Sequence, residues 1–191
     1  MSCTQGISAA INNDCDYTPK AGTEVILTAF NRGDIATTTV DGSNRNLITA
    51  ITLESGKQAY TITGFKKSSN SGHDIVVGEN LPDLYKQYIS IQPWGIDSAT
   101  VNELDNLSDL VIIVENKNKG VDGDGAFEIY GLETGLYKSS DTRRVNDNNG
   151  IQTIEMTTQD GEDSTVSRHV FFDTDYATTA AAVTALLTPA P

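Results

Sequence analysis

The sequence predicts a mainly β protein, an antiparallel β-sandwich or rolled β-barrel with one short α-helix. Three observations carry that expectation. Short β-branched or alternating runs recur between turn-forming clusters, about nine of them. Thr, Ser, Asn and Gly are abundant, a mix that favours strands and turns. A single helix signal then interrupts the strands near the middle of the chain, and a helix there packs across an open end or edge of the sheets.

Taken in order, Met1–Pro19 is polar and irregular, and reads as an N-terminal arm. A β domain follows over residues 20–175. Thr23–Phe30 alternates, with Val25, Leu27 and Ala29 on one face. Asn31–Asn46, rich in Asn, Gly, Asp and Thr, reads as a long loop. Leu47–Leu53 and Gln58–Thr63 read as two strands joined by a hairpin turn at Glu54-Ser55-Gly56-Lys57. Phe65–Gly72 reads as a polar loop, and His73–Val77 and Leu84–Gln92 as strands separated at Pro82.

Residues 96–136 are the most informative stretch. Asp97 is a good N-cap, with Ile96 and Val101 at the staple positions around it. Val101, Leu104 and Leu107 recur at helical spacing. Leu110–Val114 is uncharged and β-branched, the pattern of a strand buried on both faces, so Ile112 and Ile113 are expected in the core. Asn116–Gly125 is a polar turn region, and Ala126–Tyr130 returns as the second arm of a hairpin. Beyond it, Lys138–Asn149 reads as a charged loop. Ile151–Thr158 and Val166–Phe172 read as a last strand pair around Gln159-Asp160-Gly161. The Ala/Thr-rich segment 176–191 is a C-terminal tail in which Ala177–Leu187 reads either as a short helix or as frayed chain.

The chain has 191 residues, enough for one domain with a core that needs no disulfide or metal. Its formal net charge is −13, from 26 acidic and 13 basic residues. That balance speaks against sequence-independent grip on nucleic acid and against docking to an anionic membrane. No run approaches the roughly 18 apolar residues of a membrane span. The start MSCTQGISAA has neither the basic residues nor the apolar run of a secretory signal, so synthesis in the cytoplasm is expected. Cys3 and Cys15 are read as free thiols in preference to a bridge, which would staple only a terminal loop.

No stretch presents a catalytic constellation. Asp122-Gly123-Asp124-Gly125 begins like a calcium loop, but Ala126 and Phe127 stand where further ligands are needed. Gly123 and Gly125 open a G-x-G-x-x-G that has Glu128 in place of its last glycine, and no helix is expected after it. His73 and His169 read as surface or strand-end residues; His73 and Asp74, adjacent on a strand, point to opposite faces. Trp94 reads as a core aromatic at the strand-to-helix turn, with an interface anchor as the alternative. No cofactor, metal or enzymatic activity is expected.

The run LVIIVENKN…FEIYGLETGL resembles a family of small structural proteins encoded by phages and prophages of Bacteroidota. In that family an apolar strand ending IVEDNNG leads into an apolar strand ending GLENGL. The likeness continues in order through Cys3, Gly6, Ile7 and Cys15, Tyr60-Thr61-Ile62-Thr63 with Lys66-Lys67, Tyr85–Ile91 and Gly150–Thr158. The turn after Glu115 is longer here than in the family. The resemblance implies a tail tube subunit with a rolled antiparallel fold shared with other phage tubes and with type VI secretion tubes. It further implies stacked, hexameric rings in the virion tail, contacts with other tail proteins, and DNA passing through the lumen without specific binding. The alternatives are another virion component, such as a head decoration or tail terminator protein, or a β-rich binding module. In the tube reading, Lys66, Lys67, Arg143 and Arg144 lie in long polar loops from which they can reach acidic partners on a neighbour. Solvated loops are the plainer reading of the same residues.

Overall fold

In a computed structural model the described residues are 21–64, 69–78, 82–93, 97–120, 122–147 and 150–191. They form β1 (Thr23–Asn31), β2 (Ile35–Val40), β3 (Leu47–Leu53), β4 (Tyr60–Thr63), β5 (Asn70–Val76), β6 (Leu84–Ile91) and α1 (Ser98–Asp105). These are followed by β7 (Leu110–Asn116), β8 (Phe127–Tyr130), β9 (Tyr137–Arg143), β10 (Gln152–Thr157), β11 (His169–Phe171) and α2 (Tyr176–Ala185). The strands make two open sheets, a seven-stranded one in the order β2-β3-β11-β8-β7-β1-β4 and a four-stranded one in the order β5-β6-β10-β9. The protein is therefore a mainly β sandwich, and neither sheet closes into a barrel.

β7 lies inside the larger sheet, between β8 and β1. Its side chains alternate between two cores because successive residues on a strand point to opposite faces. Leu110, Ile112 and Val114 pack between the sheets with Leu27, Ile89, Ile91, Ile154 and Met156. Val111 and Ile113 pack on the outer face with Phe30, Ile48, Phe127, Phe171 and Val183. Ile112 is 0% and Ile113 2% exposed, so the two-faced burial expected of this run is found. Each such side chain contributes roughly 1.5–3 kcal/mol through burial.

α1 starts where its cap signal lies: the Asp97 carboxylate accepts from the Thr100 amide at 3.0 Å. Of its apolar stripe, Leu104 is buried in the inter-sheet core, Leu107 packs partly against it, and Val101 stays exposed. The single helix expected is joined by a second. α2 is capped by Asp175, which accepts from the Thr178 amide at 2.8 Å, and buries Val183 with the following Leu186. Beyond it the chain remains held, since Gly56 N–H donates to the Ala190 carbonyl at 2.8 Å and Ala190 N–H donates to the Lys57 carbonyl at 2.9 Å. Of the two readings of the C-terminal segment, helix and frayed chain, the helix is the one found.

Several connections differ from the sequence reading. The expected loop Asn31–Asn46 contains a short 3-10 turn and then β2, paired with β3. The first half of the expected loop Lys138–Asn149 belongs to β9, paired with β10. β3 and β4 are not a hairpin; four strands separate them in the seven-stranded sheet, where β3 is second from one end and β4 stands at the other. β10 and β11 are not a pair either, because they belong to different sheets. β11 instead sits between β8 and β3, and its pairing with β3 is parallel. Trp94, Ile96, Cys3, Cys15 and residues 1–19 of the expected arm lie outside the described residues.

The GLETGL turn sets how β8 leaves the sheet. Gly131 adopts φ +79, and a Cβ there would collide with the Leu110 carbonyl oxygen. Gly135 adopts φ +77 against Asp109. Only glycine meets both demands, a left-handed backbone and close approach to a neighbouring strand. Leu136 and Leu110 then exchange two backbone hydrogen bonds of 2.9 and 3.0 Å.

Candidate functional site

The chemistry-bearing residues fall into three polar clusters and a set of open strand edges. The first cluster joins the two sheets. Gln87, on β6 and 1% exposed, donates through Nε2 to the Val166 and Ser167 carbonyls, each at 3.1 Å. Its Oε1 accepts from the Gly131 amide at 2.7 Å. A buried amide costs little when its hydrogen bonds are made and much when they are lost, so Gln87 pins segment 164–168 to the glycine turn.

The second cluster holds the same segment from outside. Glu133 accepts from Ser164 Oγ at 2.8 Å, from the Thr165 amide at 2.6 Å and from Thr165 Oγ1 at 2.8 Å. Burial pushes the Glu133 carboxyl up, but these donors outweigh it and hold the group below its ordinary value. His169 begins β11 and is 5% exposed, so it is a strand-end residue but not a surface one. Burial lowers its imidazole, Glu133 opposes that shift and Arg45 adds to it. Ser, His and Glu thus come together without the order that nucleophilic catalysis needs. The Ser164 hydroxyl points at the carboxylate, and His169 Nδ1 has no hydrogen-bond partner among the described residues.

The third cluster anchors α2. Lys119 Nζ donates to Glu115 Oε1 and to the Tyr176 hydroxyl, and that hydroxyl donates to Glu115 Oε1, all at 2.6 Å. The Tyr176 ring stacks on Phe127 with centroids 5.8 Å apart. Beside this cluster a groove of about 200 Å³ runs between α2 and the sheet, lined by Ile26, Thr28, Thr61, Ile113, Val183 and Leu187.

The other sequence candidates are scattered. His73, on β5, meets Tyr85 edge to face at 5.8 Å, and its neighbour Asp74 is opposite Lys86 in the register. Asp122 and Asp124 are both exposed on the turn between β7 and β8, with Gly123 packed against Tyr176. Among the described residues no group of three or more His, Cys, Asp or Glu is placed to hold a metal ion. Arg143 ends β9 and donates through Nε to the Gly150 carbonyl at 3.1 Å. Arg144 lies 3.8 Å from Asp147, with both side chains largely exposed. Lys66 and Lys67 lie outside the described residues.

Among the described residues, four strands have a neighbour on one side only: β2 and β4 at the ends of the larger sheet, β5 and β9 at the ends of the smaller. β2 reads IATTTV and β4 reads YTIT, both without charge, with Val40 46% and Tyr60 61% exposed. β9 differs, carrying Lys138, Asp141 and Arg143. Among the described residues no helix is long and apolar enough to cross a membrane. Comparisons with protein-family models, with curated proteins and with solved structures give no match for the chain.

Proposed function

We propose that the protein is a self-assembling structural subunit, a phage tail tube protein whose copies join edge to edge into stacked, hexameric rings. The observation that carries this reading is the pair of uncharged strands, β2 and β4, which among the described residues stand at opposite ends of one open sheet. An edge strand offers unpaired N–H and C=O groups, and proteins that stay monomeric blunt such edges with charge, proline or a covering segment. Two different edges that pair head to tail generate rings when the rotation closes. The formal charge of −13 supports the same reading, because an acidic conduit repels DNA that must slide through it. The tail tube identity itself rests on the resemblance of the β7–β8 stretch and the GLETGL turn. In this reading the protein belongs to the virion tail, is made in the host cytoplasm, and has other tail proteins and the passing genome as its further partners.

The test is negative-stain microscopy with sedimentation of the purified protein and of Val40→Lys and Tyr60→Lys. Rings or tubes are expected from the natural sequence, and monomers with unchanged circular dichroism from both variants. A natural protein that stays monomeric at all concentrations would overturn the assembly reading. One observation favours the second reading, a β-rich binding module or decoration protein: Ile75, Val76 and Val77 form an exposed apolar run at the β5 edge. That reading predicts monomers or trimers whose partner binding fails in Val77→Asp.

A further inference from the structure

Segment 164–168 is a strap whose fastening includes a titratable pair. Ile129 and His169 are opposite each other in the β8–β11 pairing. Glu133 follows Ile129 by four residues, and Thr165 precedes His169 by four, so their contact continues the same antiparallel register past the strands. The strap thus lies along the GLETGL turn. A backbone pair between Ser164 and Tyr85, at 2.8 and 2.9 Å, fixes its start, and Gln87 holds the Val166 and Ser167 carbonyls. The Glu133 carboxylate takes the Ser164 hydroxyl and both donors of Thr165, and the Val166 amide donates in turn to Ser164 Oγ at 3.4 Å. Val166 is 2% exposed in this arrangement.

His169 stands at the end of this strap, 5% exposed, with Nδ1 beyond hydrogen-bond reach of every acceptor among the described residues. A neutral imidazole can leave one ring nitrogen bare, but an imidazolium carries N–H on both. A buried N–H without an acceptor is costly, so a proton on His169 calls for an acceptor to move in. The charged groups that act on His169 are the Glu133 carboxylate and, with opposite sign, the Arg45 guanidinium. Arg168, its chain neighbour, has Nε 2.8 Å from Glu128 Oε1, and strand alternation puts that pair on the other face. We propose that His169 and Glu133 form a proton-operated latch. When His169 takes up a proton, the Glu133 carboxylate turns to it and lets go of Ser164 and Thr165. The strap then opens from the glycine turn while both sheets stay folded. The direction follows from burial, which resists the proton while the strap is closed. The open form therefore binds more protons, and it gains as the pH falls below the ordinary imidazole value of 6.5. Glu133 is held below 4.5, so its carboxylate is still charged over that range. The latch works within one copy of the chain and is independent of ring assembly.

The test is hydrogen exchange of the full chain at about pH 7.5 and about pH 5, corrected for the intrinsic pH dependence of exchange. Protection of the Thr165 and Val166 amides is expected to fall at least about tenfold at the lower pH, while the Ile112 and Ile113 amides of β7 keep theirs. A fall shared by all four amides overturns the proposal, because the whole domain is then opening. Unchanged protection of Thr165 and Val166 overturns it as well. His169→Gln takes up no proton there and should keep the strap protected at both pH values; a drop that survives in this variant assigns it to another group and overturns the latch. The natural protein supplies a second readout that needs no variant. In NMR titrations the Thr165 amide and the His169 ring are expected to shift with one shared midpoint, and separate midpoints overturn the proposal.

Discussion

Arg32 and Asp109 are joined through both main chain and side chain. The Arg32 amide donates to the Asp109 carbonyl at 2.9 Å, and its guanidinium reaches the carboxylate with Nε at 2.7 Å and Nη2 at 3.4 Å. Asp109 holds φ +51, a left-handed conformation that Asp tolerates and β-branched residues do not. The pair therefore ties the turn after β1 to the residue that leads into β7. Both side chains are more than one-third exposed, so the ion pair itself is expected to contribute only about 0.5–1 kcal/mol. A double-mutant cycle with Arg32→Ala and Asp109→Ala measures that coupling. Asp109→Gly should keep most of the stability and Asp109→Val should lose about 2 kcal/mol or more. Equal losses for Gly and Val would show that the backbone conformation contributes nothing.

The two faces of β7 predict equal intolerance of charge. Ile112→Asp places a carboxylate between the sheets, and Ile113→Asp places one under α2. An unpaired buried carboxylate costs several kcal/mol, so both variants should fail to fold. Soluble expression with native circular dichroism from either would remove its face from the core.

Stability should fall with acid in two stages. The folded His169 imidazole sits below its ordinary 6.5 because it is buried. The unfolded chain then takes up the proton first, so stability held above pH 6.5 declines as the pH drops below it. Glu133 is held below 4.5, and its contribution, present above that value, is lost as the pH falls through the lower folded one. Urea midpoints measured against pH should show both stages. His169→Gln should flatten the upper stage and leave the lower. An unchanged upper stage in that variant assigns it to another group.

Arg143 and Arg144 should matter to assembly more than to folding. Their partners in one copy are a backbone carbonyl and a long, exposed ion pair, so Arg143→Glu with Arg144→Glu should cost the monomer only about 0.5 kcal/mol. In the proposed tube the same change places acid against acid across ring interfaces and should shorten the tubes. Raised salt should weaken natural stacking only modestly, because partly buried pairs are screened less. Tubes of unchanged length would take this loop out of the interface.

What was legible in the sequence follows burial. β7 stood out because both its faces are apolar, and α1 because Asp97 and Thr100 make their contact within one turn. β2 and β9 carried no such mark. They are edge strands with mostly polar side chains, held by backbone pairing on one side, and IATTTV and YKSSDTR leave no apolar period to read. The separation of β3 from β4 and the parallel pairing of β3 with β11 depend on contacts far apart in the chain, to which local turn residues are blind. Gln87 and Glu133 were missed for a related reason. Each is a single polar residue whose role exists only once segment 164–168 comes to lie beside it. α2 had a readable signal in Asp175 and Thr178, three residues apart, but its alanines and threonines gave no amphipathic stripe.

Because the run Leu110–Val114 is apolar on both faces, its own side chains do not specify its alignment. Sliding the strand by one residue would put Val111 and Ile113 where two of Leu110, Ile112 and Val114 now lie, and only at the third position would a charged neighbour, Glu115 or Asp109, enter the core. The choice is therefore made at the strand's ends, and most visibly at its entrance. There Asp109 is fixed by Arg32, Gly131 admits the Leu110 carbonyl, and Leu110 and Leu136 bond to each other in both directions. A loosened entrance would leave a chain that remains collapsed and rich in strands while mixing two alignments, a heterogeneity that stability measurements alone would miss.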